Sequence, residues 1–278
     1  MRYDLATMAR RNNVRRKAIP IRTPATPGIF ATDLYAIYNR IIRAWEAGKP
    51  AIMASYERAL GGMVTDSPAD VEQEVSSIAA TLERLTLILT PQLTDWALNV
   101  ERWQRGKWRG AVLSATGVDL GTLIGVGDVR ATLETTIGWN TALVRDVSKQ
   151  VESRIASAVF DGLRNRSPAR DVAKQITNAT GLGRKRARLI AADQLSKVSE
   201  SLADERRREA GLDVWEWKHS GKLNYRPDHK TRDGKLYGDN ADSVGKVVNG
   251  KTVATPPKDR PGQLIRCGCR GLSVLVLD

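Results

Sequence analysis

The chain has 278 residues, 41% of them hydrophobic, which is enough to bury a substantial core in one or two domains. A formal charge of +13 and an isoelectric point near 10 suit a polyanionic neighbour, because cationic side chains that neutralise phosphates release counterions; a solvated cationic coat is the plainer account. No apolar run approaches the ~20 residues that span a bilayer, and no apolar h-region follows the basic start, so no membrane partner is expected and a reducing cytoplasm is.

Residues 1–28 carry Arg2, Arg10, Arg11, Arg15, Arg16, Lys17 and Arg22 against the single acid Asp4, then turn into Pro20, Pro24, Pro27 and Gly28. So little apolar surface does not offset the entropy of ordering, and a mobile basic arm is expected. Arg10, Arg11, Arg15, Arg16 and Lys17 are its candidate contacts to nucleic acid.

Residues 29–210 read as a helical body. Leu34, Ile37, Tyr38, Ile41 and Trp45 share one helical face, with a break expected at Gly48-Lys49-Pro50. Val71, Val75, Ile78, Leu82, Leu85 and Leu89 form a seam that wants another helix along it; Ser67-Pro68 caps its start and Thr90-Pro91 marks its end. Leu93, Trp96, Val100 and Trp103 continue a helical stripe, and Gly117, Gly121, Gly125 and Gly127 mark a loop. Val144, Val147, Val151, Ile155 and Val159 predict a long helix ending near Leu163. A shorter helix starts at Ser167-Pro168, and another carries Ala187, Ala191, Leu195, Val198 and Leu202.

After Gly211 the period changes to two. Trp215, Trp217 and His219 share a strand face, and Gly271 to Leu277 reads as a second strand. The fold class predicted is α+β: a mostly α-helical body, then a small, loop-rich α+β module over 211–278.

Four groups of residues have chemistry to weigh. Both cysteines fall in Cys267-Gly268-Cys269, which is no disulfide framework. With His229 and His219 they could ligate zinc, or they could pack as small apolar thiols; no cofactor is the working expectation. Arg226 and His229, beside Asp228 and Asp233 and with Arg270 near developing charge, could serve phosphodiester cleavage, or they could satisfy the backbone of a long loop. Gly181-Leu182-Gly183 with Arg184, Lys185 and Arg186 resembles a helix-hairpin-helix DNA-binding turn, or is a plain turn with solvated cations. Trp45, Trp96, Trp103, Trp108 and Trp139 are base-stacking platforms or, with only two phenylalanines in the chain, the main large core fillers.

Taken in order, Arg188-Leu189-Ile190-Ala191-Ala192-Asp193-Gln194-Leu195-Ser196-Lys197, Trp215-Glu216-Trp217-Lys218, Arg226-x-x-His229, Gly234-Lys235, Pro261-Gly262 and Ile265-Arg266-Cys267-Gly268-Cys269-Arg270 resemble the C-terminal region of the phage Mu protein F-like family of minor head proteins. Gly117-Val118-Asp119 through Leu163, with Ala169-Arg170-Asp171-Val172, resembles its upstream region. Three features depart from the pattern: His219-Ser220 replaces a small polar pair, the Tyr237 to Lys258 linker is long and lysine-rich, and Gly268 stands where an arginine is usual.

The resemblance implies a low-copy virion protein at the portal vertex that contacts portal or major capsid protein and packaged double-stranded DNA. It acts in head assembly inside the host cytoplasm, with ejection alongside the genome left open. Arg226, His229, Gly234, Cys267, Cys269 and Arg270 are then the structural motif of a protein without turnover chemistry. A nuclease using His229 and Arg226, and a plain nucleic-acid-binding module, are the alternatives.

Overall fold

A computed structural model of the chain describes residues 3–61 and 68–277. The order of elements is α1 (Leu5–Arg11), β1 (Ala18–Pro20), α2 (Ile29–Gly61), α3 (Pro68–Thr116), α4 (Arg130–Arg164), α5 (Ala169–Glu209), β2 (Val214–Lys218), α6 (Pro227–Thr231), β3 (Leu236–Gly238), β4 (Val247–Val248), β5 (Lys251–Ala254) and β6 (Arg270–Val276). The class is α+β, with long helices followed by a strand-bearing C-terminal region. Among the described residues, no helix is long and apolar enough to cross a membrane.

The chain forms two compact units that do not follow the expected division into arm, body and module. One contains residues up to Phe30, Ala97–Thr136 and everything from Ala192; the other contains Ala31–Trp96 and Ile137–Ala191.

The second unit is helical. Contacts between α2 and α4 rise in the same order along both helices: the Tyr38 hydroxyl donates to Asn140 Oδ1 at 3.0 Å, Trp45 Nε1 to Ser148 Oγ at 3.1 Å, and Tyr56 to the Ser167 carbonyl just past α4 at 2.7 Å. These two helices therefore run parallel. Helix α5 runs opposite to α2, with Lys49 donating to Thr177 and Arg184 paired with Glu46.

The breaks expected at Pro50 and Pro91 are absent: α2 and α3 continue through both prolines. Each proline removes a helical hydrogen bond, so packing must outweigh a cost of about 3 kcal/mol. Gly48 contributes, because a Cβ there would lie 2.6 Å from Ile78 Cδ1; the glycine lets α3 approach α2 closely. Around Pro91, the hydroxyls of Thr86, Thr90 and Thr94 donate to carbonyls four residues back. The Val71 to Leu89 seam is occupied by its own unit, with Val71, Val75, Leu82 and Leu89 buried. Its expected cap, Ser67, lies outside the described residues.

The two helices expected on either side of Gly181-Leu182-Gly183 are one, α5. A Cβ on Gly183 would stand 2.7 Å from Val151 Cγ2, so this glycine serves helix packing and makes no turn.

The first unit holds a six-stranded sheet in the order β1-β6-β2-β3-β5-β4, with every pairing antiparallel except β3 with β5. The central pair is β2 with β6, in register Trp215 opposite Ser273 and Trp217 opposite Gly271.

The N-terminal segment is not the mobile arm that its composition predicts. Residues 3–21 are docked: β1 pairs with β6, the Ile21 N–H donates to the Ser273 carbonyl at 2.8 Å, and the Leu277 N–H donates to Lys17 O at 2.7 Å. Leu5, Ala9, Ile19 and Ile21 are buried with Trp108, Val112, Leu120, Leu212 and Leu275. Each large aliphatic side chain so buried contributes about 1.5–3 kcal/mol, which offsets the ordering entropy that the basic composition suggested would win.

The tryptophans divide similarly. Trp45, Trp96, Trp108, Trp215 and Trp217 are buried as packing residues, whereas Trp139 is 57% exposed.

Candidate functional site: a histidine, two thiols and an arginine-held carboxylate

The site is assembled by α6, the loop before β6 and strand β2. Arg226 has extended backbone and Pro227 follows at the first helical position, so α6 starts without needing the amide that proline lacks. One turn suffices to turn His229 inward, where it is 2% exposed.

Gly234 ends this segment with φ +75°, a conformation that favours glycine. Its N–H donates to Trp217 O at 2.8 Å and the Trp217 N–H donates to Lys235 O at 2.9 Å, which extends the β2 to β3 pairing. Pro261 and Gly262 shape the other loop. Gly262 has φ +74°, and a Cβ there would be 2.6 Å from Glu200 Cγ, so the loop lies directly on α5. Glu200 also accepts the Gly271 N–H at 2.8 Å, and Asp193 accepts the Arg266 N–H.

These contacts bring the imidazole and the thiols together. His229 Nδ1 is 3.5 Å from Cys267 Sγ and 3.7 Å from Cys269 Sγ. On the other side of the ring, Nε2 is 2.8 Å from Asp259 Oδ2. Arg232 NH1 donates to both Asp259 oxygens at 2.9 Å, and its NH2 donates to Asp228 at 2.9 Å. The guanidinium lies 4.9 Å from the Trp217 ring centre, and Trp217 meets His229 edge to face at 5.1 Å.

Burial pushes the Asp259 carboxyl up, but hydrogen bonding and charge from Arg232 outweigh that and hold it below its ordinary value. With Asp259 ionised, Nε2 is the donor to it, which leaves Nδ1 facing the two sulfurs. The hydrogen bond between the thiols lowers Cys267 and raises Cys269, so the pair takes its first negative charge at Cys267. The Trp217 indole N–H is buried without a hydrogen-bond partner and favours a charged Cys269.

Other residues singled out by sequence have other places. Arg226 donates to the Ile265 carbonyl at 3.2 Å and so ties the two loops together. Arg270 donates to Thr23 O at 3.2 Å and holds the N-terminal segment instead of an anion beside His229. His219 stays out of the thiol group: its Nδ1 accepts the Gly221 N–H, it packs edge to face on Tyr225, and its Nε2 is buried without a partner. Gly268 has Lys222 against it, with Cε 2.8 Å from where a Cβ would be. The Lys222 ammonium donates to Arg266 O, so a cation lies over the loop.

Arg184 and Arg186 are engaged by Glu46 and by Asp146 at 2.7 Å, and with Lys185 they lie within α5. No helix N-terminus exists there to bind phosphate, which removes the helix-hairpin-helix reading. Arg10, Arg11, Arg15, Arg16 and Lys17 are exposed on the docked N-terminal segment.

Sequence reasoning missed Asp259, Arg232, Trp217 as a wall of the site, and Glu200. The signal for Asp259 was faint: a lone acid between Lys258 and Arg260, bracketed by Pro257 and Pro261.

Residues 149–271 match the model of the family described as Phage Mu protein F like protein, slightly under half of the chain. The chain is also 26% identical over 163 residues to an uncharacterized protein of Haemophilus influenzae, covering 58% of this chain and 33% of that protein. The match thus spans about a third of the relative's length. No solved structure matches.

Proposed function

From the match of residues 149–271 to the Phage Mu protein F like family, we propose that this chain is a minor capsid protein of a tailed phage that acts in head morphogenesis and resides in the virion. In this reading it sits at the portal vertex, contacts portal or major capsid protein, and lies against packaged double-stranded DNA. The observation that carries it is the family match over the segment that builds the His229–Cys267–Cys269 junction. Arg11, Arg15, Arg16 and Lys17, exposed on a docked segment, are the cations best placed for a phosphate backbone.

A nuclease centred on Arg226 and His229 has less support. His229 is buried, one ring nitrogen is engaged by Asp259 and the other faces two thiols, which leaves neither in reach of a substrate proton.

Asymmetric reconstruction of phage heads tests the location, with density for this chain expected at one vertex; density at every capsomer, or none, rejects it. Heads carrying Arg15→Glu, Arg16→Glu and Lys17→Glu together are expected to incorporate the protein normally and to retain less DNA. Unchanged DNA retention would remove the DNA contact from the reading.

A further inference from the structure

The group formed by His229, Cys267 and Cys269 has a geometry that packing alone does not require. A tetrahedral zinc ion with Zn–S near 2.3 Å and Zn–N near 2.05 Å places its nitrogen and sulfur ligands about 3.6 Å apart. The separations from Nδ1 to the two sulfurs are 3.5 and 3.7 Å, and the three ligand atoms lie within 4.8 Å of one another. Exposures of 2%, 4% and 2% for His229, Cys267 and Cys269 place all three donors in the interior.

We propose that Cys267 Sγ, Cys269 Sγ and His229 Nδ1 bind one divalent ion of the zinc class, with Asp259 orienting the imidazole through Nε2 and an exogenous water in the fourth position. Two thiolates and an imidazole are the borderline-soft set that selects zinc over magnesium or calcium. The carboxylate on the far ring nitrogen is the usual second partner of a metal-bound histidine, fixing the tautomer that leaves Nδ1 free to ligate. Arg232 fixes that carboxylate in turn. The Trp217 indole N–H, fully buried and without a partner, lies in the same cluster as Cys267 and Cys269, where a thiolate satisfies such a donor better than a thiol does. Binding displaces the thiol protons to solvent.

A second grouping, Asp228 with His229 and Asp259, also has donor atoms within range. Its two carboxylates already share the Arg232 guanidinium, so a cation is in place and a metal would have to expel it.

The site stands apart from the proposed head function, since any role for the family is compatible with a metal clip. Such an ion would pin the α6 turn to the loop before β6, two segments 38 residues apart in sequence.

The test uses the full chain, reduced, given excess zinc and gel-filtered. Elemental analysis is expected to give about one zinc per chain, and cobalt(II) substitution is expected to give thiolate-to-metal charge-transfer absorption with tetrahedral ligand-field bands. Cys269→Ser should lose the charge-transfer intensity and the bound zinc. Asp259→Asn supplies a second reading that does not depend on how the chain folds without the Cys269 thiol: it keeps all three ligands and should weaken zinc binding about 10–100-fold in a competition with a chromophoric chelator. Wild-type chain with native circular dichroism that retains under about 0.1 zinc overturns the proposal. So does a cobalt spectrum without thiolate character, an Asp259→Asn affinity equal to wild type, or a Cys267–Cys269 disulfide in the native protein.

Discussion

Two stretches attract the eye for the same reason: each sets glycine and arginine beside a helix boundary or a loop. Gly181 to Arg188 is written as a compact local motif, yet it is helix interior, with Gly183 against Val151 and two of its arginines committed to Glu46 and Asp146. The segment from Arg226 to Arg270 is scattered over 45 positions, yet it forms one junction of imidazole, thiols, carboxylate and guanidinium. The difference is in what holds each glycine. Gly183 has helical backbone and a neighbour close by, whereas Gly234 and Gly262 have positive φ that other residues adopt at a cost. Spacing on the page does not separate these cases; backbone conformation does.

Three substitutions sharpen the contrast. Gly262→Ala forces a residue with a Cβ to φ +74° and drives that Cβ to 2.6 Å from Glu200 Cγ, so a loss of about 3 kcal/mol in unfolding free energy is expected by urea titration. A loss under about 1 kcal/mol would mean the loop rests on α5 less tightly than its geometry indicates.

Glu200 gives the next largest effect, and it depends on pH. Burial raises its carboxyl from an ordinary value near 4.5 to about 8. The folded chain therefore keeps a proton that the unfolded chain has released between those values, and stability falls as pH rises from 4.5 to 8. Glu200→Gln still accepts the Gly271 N–H but cannot ionise. It should flatten the loss between pH 5 and pH 8, by on the order of 3 kcal/mol. Parallel pH profiles for the two proteins would remove Glu200 as the source.

The smallest effect has the opposite sign. No atom lies within 4 Å of where a Cβ on Gly181 would be, and the position is helix interior, so Gly181→Ala should stabilise by about 0.8–1 kcal/mol. Destabilisation would revive the turn.

The legible parts were those whose signal is carried within one element. The stripe Val144, Val147, Val151, Ile155 and Val159 gives α4 its buried face, and Trp215 with Trp217 marks β2, because each pattern needs only the period of its own backbone. Pro50 and Pro91 misled, since their local cost is real and is overridden only by contacts from other helices. Ile19 and Ile21 were hidden by their charged neighbours: three residues of strand carry almost no periodic signal, and β1 exists because β6 offers it an edge.

The amino-acid order alone settled helix faces, the main strand pair and the kinds of side chain available for chemistry, since these follow from the backbone period and residue type. Tertiary structure decided which of those side chains meet. Asp259 reaches His229 across 30 positions, Cys267 reaches it across 38, and Glu200 reaches Gly271 across 71. Contacts at such separations depend on how loops close over α5 and the sheet, and that closure is governed by packing and hydrogen bonding summed over the whole unit, of which no short stretch of sequence carries more than a part.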